Sequence, residues 1–274
     1  MPIFNDTTFE KIVLPNRLYK YRYWRNDLHK RILTHQEIFF ASPLDMNEQH
    51  ECNLERDFSA LTKELVYKYC LIKANQEYNN RRDRREAARK LVKESLIFDE
   101  QHQKKAHDYF RQKLNEDFSI FSASEHKNNF NLWTGFGVDQ EGFCIGFNTR
   151  KMFNNTEIFG SGGKVKYYPI NDMPKIRPLC LNESEHIEDL LKVIYSLPNK
   201  YAKEDEYRLA KIYLNDKKIS LNKASFGEVI LGDKMPDEHK GQIIEIVRTN
   251  FPEAKLLQAN CNYDTEGYTF AEIN

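Results

Sequence analysis

The stretch Lys200–Ala210 reads Lys-Tyr-Ala-Lys-Glu-Asp-Glu-Tyr-Arg-Leu-Ala and leads directly into the strand-forming residues 209–214. Side chains alternate between the two faces of an extended chain, so Glu204, Glu206 and Arg208 are predicted to share one face. Such a charged row is costly to bury unless its members meet partners or a ligand. The stretch therefore predicts either an edge strand with a solvated face or a functional site.

Composition and charge narrow the class of protein. The 274 residues suffice for a substantial core, and Lys plus Arg and Asp plus Glu number 41 each, so no bulk charge indicates a nucleic acid or an acidic substrate. The first residues lack a basic segment followed by an apolar run, and no apolar stretch reaches about 18 residues, so neither a signal peptide nor a membrane span is expected. The five cysteines form no Cys-x-x-Cys pair. Their scatter argues against a zinc knuckle or a disulfide framework and favours a reducing cytoplasm.

The hydrophobic pattern predicts an α+β fold in a single domain over residues 1–274. Strand patterns at Leu18–Tyr23, Phe118–Ser124 and Phe143–Phe147 predict a mixed or split β-sheet core. Residues 54–117 repeat apolar side chains at three- and four-residue steps and predict a charged helical insertion of two or three helices. We expect this insertion to cap one side of the core and to dock a partner or a second subunit.

Two loops were weighed as ligand sites. Gly160–Gly163 lacks the Lys-Ser/Thr of a P-loop and the strand-to-helix context of a dinucleotide fingerprint, so it is predicted to be a flexible hairpin tip. Asp45, Glu48, His50 and Glu51 crowd the loop after the second strand, but their spacing matches no metal-binding loop. A polar turn is the expectation there, and no metal is expected.

A basic run, Asn79–Glu86, lies inside the predicted insertion. It would suit contacts with RNA or DNA phosphates. The alternative is a solvated helix face on which neighbouring Arg and Glu side chains cancel the field, and the interspersed charges favour that alternative.

Four blocks of sequence resemble the bacterial DUF2971 family, whose members have no assigned function. The resemblance covers most of the chain outside the insertion, and its most specific part is the Glu-x-Glu-x-Arg block. The matching blocks are Leu18–Arg22 with Phe39–Pro43; Phe121–Ser122 with Leu132–Trp133 and Gly142–Phe147; Tyr201 with Glu204, Glu206, Tyr207 and Arg208; and Val229–Gly232.

The chain departs from that family at three places. Asn47–Glu51 stands where the family commonly shows Asn-Asp-Pro-Phe-Glu, and Tyr201 stands where a tryptophan is usual. Trp133–Phe136 replaces a Trp–His–Tyr type of block, so the resemblance assigns no role to a histidine there.

A second resemblance is to ADP-ribosyltransferases of the arginine–serine–glutamate type. Arg22, Ser122 (or Ser124) and Glu206 (or Glu204) occur in that family's order on predicted strands. The resemblance implies an ADP-ribosyltransferase-like fold, NAD as cofactor and substrate, and a protein or nucleic-acid acceptor, in bacterial phage defence or toxin biology.

The implied chemistry is coherent with the residue types. The Arg22 guanidinium would bind the pyrophosphate of NAD, the serine hydroxyl would hold the nicotinamide ribose, and Tyr21 and Tyr207 would stack on a ring. Glu206 would stabilise the oxocarbenium-like transition state while Glu204 orients or deprotonates the acceptor.

Three other interpretations stay open. Arg22 with Glu204 or Glu206 would also form a purely structural ion pair between strands. In that case the protein is a non-catalytic nucleotide- or protein-binding module. A metal-assisted nuclease would instead combine Asp45, Glu48 and Glu51 with the two later glutamates.

Overall fold

The computed structural model describes residues 14–46, 50–153, 160–214 and 217–273. Contacts along the chain divide it into two compact units, each assembled from separate segments. The first unit comprises Met1–Asp45, Asp117–Val165 and Asn199–Asn274. The second comprises Met46–Glu116 and Lys166–Pro198.

The two units share out the regular elements as follows. The strands are β1 (Arg17–Arg22), β2 (Glu37–Phe39), β3 (Phe118–Ser124), β4 (Phe143–Asn148), β5 (Ser161–Lys164), β6 (Lys166–Tyr168), β7 (Ser196–Pro198), β8 (Glu206–Ile212), β9 (Lys218–Ser220), β10 (Phe226–Leu231), β11 (Lys255–Asn262) and β12 (Gly267–Glu272). The helices are α1 (Asp27–Thr34), α2 (Lys63–Glu77), α3 (Arg81–Glu94), α4 (Glu100–Asp117), α5 (Phe130–Gly135), α6 (Thr149–Phe153), α7 (Glu183–Ile194) and α8 (Asp237–Asn250).

An eight-stranded sheet forms the centre of the first unit. Its strand order is β12-β11-β10-β4-β1-β3-β8-β5, and all neighbours are antiparallel except β10 and β11, which run parallel. Helix α8 makes the crossover between those two strands, as parallel pairs require. The prediction of an α+β fold with a mixed sheet is confirmed.

The two faces of the sheet carry different side chains. One face holds the larger apolar core, which includes Leu18, Phe121, Phe143 and Leu209. The other face holds a smaller aromatic cluster. This cluster includes Tyr19, Tyr21, Trp133 and Cys144. Because side chains alternate along each strand, the register decides which face every charged residue of the sheet joins.

Strands β1 and β3 separate after one residue pair, and we call this feature the β1–β3 split. Among the described residues, Tyr19 with Ser124 is their single pair. At Ile120 the edge of β3 bonds instead to the backbone of Ala41. Between these two points the Lys20 ammonium donates to the Ser122 carbonyl. A side chain thus satisfies a backbone group that the neighbouring strand leaves unpaired.

The second unit is largely helical. Helices α2 and α3 begin at the N-caps Thr62 and Asn80, whose side chains accept from backbone amides of the first turn. The predicted insertion, residues 54–117, contains α2, α3 and α4. The unit also contains residues 166–198, with the parallel pair of β6 and β7 and helix α7.

One local prediction is wrong. Gly160–Gly163 is not a flexible hairpin tip, because residues 161–164 form β5, which pairs with β8 at the edge of the sheet. The glycines permit close packing there, since a Cβ on Gly160 would lie 2.2 Å from the Ala210 carbonyl oxygen.

In the described part of the chain, none of the helices combines the length and the apolar character that crossing a membrane requires.

Candidate functional site

The register brings Ser122, Ser124 and Glu206 together. Ser124 lies opposite Glu206 and Ser122 lies opposite Arg208 in the antiparallel pair of β3 and β8. Opposed residues project from the same face, so these four side chains form a compact polar group. Tyr19, opposite Ser124, belongs to this face as well.

Glu206 and Arg208 form a buried ion pair within β8. The guanidinium binds the carboxylate at both oxygens, with Nε–Oε1 at 2.8 Å and Nη2–Oε2 at 3.0 Å. The Arg208 side chain is 0% exposed and that of Glu206 is 8% exposed. Burial alone would raise the pKa of Glu206, but Arg208, the Ser122 hydroxyl and Lys20 together hold it below its usual value. Glu206 is therefore ionised at neutral pH.

Ser122 and Ser124 differ in what their hydroxyls do. The Ser122 hydroxyl lies close enough to Glu206 to lower the pKa of that carboxyl, although its Oγ makes no hydrogen bond of ordinary geometry with a described residue. The Ser124 hydroxyl donates to the Asp205 carbonyl at 3.2 Å and accepts from the His126 amide at 3.2 Å. Ser124 thus fixes the turn before β8, whereas Ser122 keeps hydrogen-bonding capacity.

Glu204 does not share the strand with Glu206, contrary to the sequence prediction. It ends the 3₁₀ turn Asn199–Glu204, and the strand begins only at Glu206. The residue between them, Asp205, has φ of 44°, a left-handed conformation that breaks the alternation of an extended chain. Glu204 is half-buried and lies within electrostatic reach of Lys20.

Arg22 projects from the opposite face of the sheet to Glu206. It pairs in register with Phe143 of the large core, whereas Tyr21 pairs with Cys144 of the aromatic cluster. The predicted trio of arginine, serine and glutamate therefore divides between two faces. Arg22 and Glu206 both act on the pKa of Lys20, so both lie within electrostatic reach of that amine.

The two tyrosines proposed to stack on a ligand ring are both buried in packing. Tyr21 meets Trp133 edge-on with ring centroids 5.0 Å apart, and its hydroxyl donates to the His126 carbonyl at 2.6 Å. Tyr207 lies on the other face, within the large apolar core. Neither ring is presented to a ligand in this conformation.

Sequence reasoning overlooked the residues around Arg22. Lys20 shares the face of Arg22 on β1, and His29 of α1 is close enough for both cations to lower its pKa. Burial, helped by those charges, lowers the pKa of His29 to about 4, and burial lowers the pKa of Arg22 to about 10. Neither Lys20 nor Arg22 forms an ion pair with a described residue. We call Lys20, Arg22 and His29 the cation cluster.

The signal for this cluster was present in the sequence. Lys20 and Arg22 alternate with tyrosines along the first strand, so the period of two already places them on one face. Their lack of an acidic partner depends on how distant segments pack, which the strand pattern does not contain.

Two further acidic groups are engaged by neighbours. Glu228 of β10 accepts from the Tyr19 hydroxyl at 3.3 Å and pairs with Arg17 at 3.3 Å and Lys127 at 3.5 Å. Asp205 binds His126, which the sequence suggested was isolated, with Oδ2–Nε2 at 2.5 Å.

The acidic loop after β2 supplies little for a metal. Asp45 accepts from the Ser42 amide and hydroxyl and from Lys217. Glu48 lies outside the described residues. Within residues 14–46, 50–153, 160–214 and 217–273, no group of three or more His, Cys, Asp or Glu side chains is arranged to hold a metal ion.

Comparisons with models of known protein families, with curated proteins and with solved structures found no match. The resemblances to the DUF2971 family and to ADP-ribosyltransferases therefore stay predictions.

Proposed function

We propose that this chain binds the phosphate groups of a nucleotide, with NAD as the leading candidate, at the cation cluster beside the β1–β3 split. The observation that carries the proposal is the pairing of two like charges, Lys20 and Arg22, with no acidic partner among the described residues. Burying an unpaired cation is costly, and a bound phosphate would offset that cost. The guanidinium keeps its charge at neutral pH, because its pKa, although lowered, is about 10.

An ADP-ribosyltransferase-like fold and reaction complete the proposal. NAD bound through its pyrophosphate at the cation cluster would bring its ribose toward Ser122 and the carboxylates that act on Lys20. Glu206 is ionised, which suits the stabilisation of an oxocarbenium-like transition state. For this role Arg208 has to release at least one of the two hydrogen bonds that it makes to Glu206. Glu204, which is half-buried, would then orient the acceptor.

The buried pair of Glu206 and Arg208 also favours a second candidate, a non-catalytic nucleotide-binding module. A carboxylate that is 8% exposed and bound at both oxygens performs a structural task without any substrate. The two candidates share the ligand and differ only in turnover.

Calorimetric titration with NAD and an assay for nicotinamide release separate these candidates. The transferase predicts that wild-type protein binds NAD and releases nicotinamide, and that Glu206→Gln loses release, keeps binding and keeps its melting temperature. Binding without release by the wild type would support the module. A folded protein that binds neither NAD nor ADP would overturn the proposal.

A further inference from the structure

Helix α3 is the most basic element in the described residues. Its sequence, Arg81–Glu94, contains seven Lys or Arg against three Asp or Glu, whereas the whole chain has a formal net charge of zero. Asn80 caps its first turn by accepting from the Asp83 amide at 2.9 Å. A stable cap at this end fixes where the following basic side chains point.

Four of these cations lie on one solvent-facing side. Ala88 is buried and Ala87 and Val92 are partly buried against α2, which defines the inward side of α3. Residues three or four positions apart are neighbours on a helix surface, so a set with that spacing forms a continuous row. The row consists of Arg82, Arg85, Arg89 and Lys93, all exposed, and we call it the α3 basic stripe.

The stripe is not neutralised by its own helix. None of its four side chains forms an ion pair or a hydrogen bond with a described residue, and none has an interaction left unstated. Glu86, four residues after Arg82, makes no ion pair either. The one ion pair within α3 joins Lys90 to Glu94 at 4.0 Å. Field cancellation by Arg–Glu neighbours, which the sequence favoured, is therefore absent from this side of the helix.

We propose that the α3 basic stripe binds the phosphate backbone of a nucleic acid. Over eleven residues the stripe extends about 16 Å, at 1.5 Å per residue. One strand of DNA carries a phosphate about every 3.4 Å along its axis, so the stripe spans about five phosphates. Three of the four residues are arginine, whose planar fork of donors matches phosphate oxygens.

The packing of α3 favours a nucleic acid over an anionic membrane. A helix that lies on a lipid surface inserts a free apolar face between the head groups. The apolar side of α3 instead packs against α2. The inference concerns the second unit alone and does not depend on NAD binding by the first.

Fluorescence anisotropy with full-length protein tests the inference. The probes are a labelled 30-nucleotide single-stranded RNA, the DNA of the same sequence and its duplex, in 50–200 mM NaCl. With four phosphate contacts, the logarithm of affinity should fall against the logarithm of salt with a slope of about −3.6 for duplex DNA and about −2.8 for single strands. The slopes, together with the order of affinities, show which nucleic acid is preferred.

Charge-removal variants connect any binding to the stripe. Replacing Arg82, Arg85, Arg89 and Lys93 by Gln, a good helix former, should lower affinity at 50 mM salt at least tenfold and flatten the salt slope. The matched control removes four exposed cations elsewhere, Lys104→Gln, Lys105→Gln, Lys218→Gln and Lys255→Gln. This control should keep most of the affinity, and circular dichroism should show unchanged helicity in both variants.

Three results would overturn the inference. They are absence of binding to all three nucleic acids at 50 mM salt, equal losses in the stripe variant and in the matched control, and binding to phosphatidylserine vesicles without binding to nucleic acid. Arg22→Met should leave nucleic-acid binding intact, which distinguishes failure here from failure of the nucleotide proposal.

Discussion

Two pairs of charged residues, each spaced two apart on one strand, have opposite electrostatic situations. On β8, Glu206 and Arg208 carry opposite charges and bind each other at both carboxylate oxygens. On β1, Lys20 and Arg22 carry like charges, and neither forms an ion pair with a described residue. The first pair is complete as it stands. The second lacks the anion that would balance it.

The difference bears on how a charged strand should be interpreted. A Glu-x-Arg block is conspicuous in sequence, yet its members satisfy one another once the strand forms. The Lys-x-Arg block is inconspicuous among tyrosines, yet it leaves donors without an acid. A missing partner is therefore better evidence for a ligand than burial of charge alone.

The largest effect is expected from breaking the complete pair. Arg208→Met leaves Glu206 buried without its counter-charge, so the free energy of unfolding should fall by about 3–5 kcal/mol. Urea denaturation at pH 7 measures this loss.

The double variant Glu206→Gln, Arg208→Met is the control for that experiment. It removes the uncompensated charge and should recover most of the lost stability. Equal destabilisation of the single and double variants would show that packing, not charge, makes this pair important.

The incomplete pair should respond in the opposite way. Arg22→Met removes a cation without an acidic partner, so stability should stay within about 1 kcal/mol of wild type or rise. NAD affinity should fall at least tenfold, which calorimetry measures. Arg150→Met, at an exposed position of α6, is the matched control and should change neither quantity. Strong destabilisation by Arg22→Met would mean that the guanidinium is already well bonded in the free protein.

The smallest expected effect is a pH dependence from His29. Its pKa is lowered from 6.5 to about 4 by burial, by Arg22 and by Lys20, against the Tyr23 amide contact that raises it. The unfolded chain then binds more protons between those values, so His29 contributes stability above pH 6.5 that is lost as the pH falls to 4. Because His29 is half-buried, solvent screening reduces the contribution to about 1–2 kcal/mol.

Urea denaturation between pH 4 and 7 measures this contribution. His29→Asn should flatten the profile by that amount, whereas His186→Asn, at an exposed position of α7, should leave it unchanged. A profile of His29→Asn that coincides with wild type would contradict the assignment.

Local patterns in the sequence predicted much of the secondary structure. The strand Phe118–Ser124 and the helix Asp237–Asn250 have the predicted bounds, and Asn26 is the N-cap of α1 as expected. These features depend on periodicity and on capping side chains within a few residues, which a single sequence records well.

The candidate site could be predicted only in part, because its geometry depends on distant pairings. The β1–β3 split exists because Ala41 takes the edge of β3 at Ile120. Strand alternation correctly united Glu206 with Arg208, but the left-handed Asp205 separated Glu204 from them. No local pattern indicated that Arg22 would leave the sheet on the face opposite Glu206.

The position of β1 in the chain has a consequence during synthesis. Its sheet neighbours are β3 and β4, so its last residue, Arg22, waits until Asn148 has been made before pairing is complete. At about 5–20 residues per second this interval is about 6–25 s. Throughout it, a strand bearing Leu18, Tyr19 and Tyr21 has no sheet to join, and it is then a target for chaperones and for aggregation.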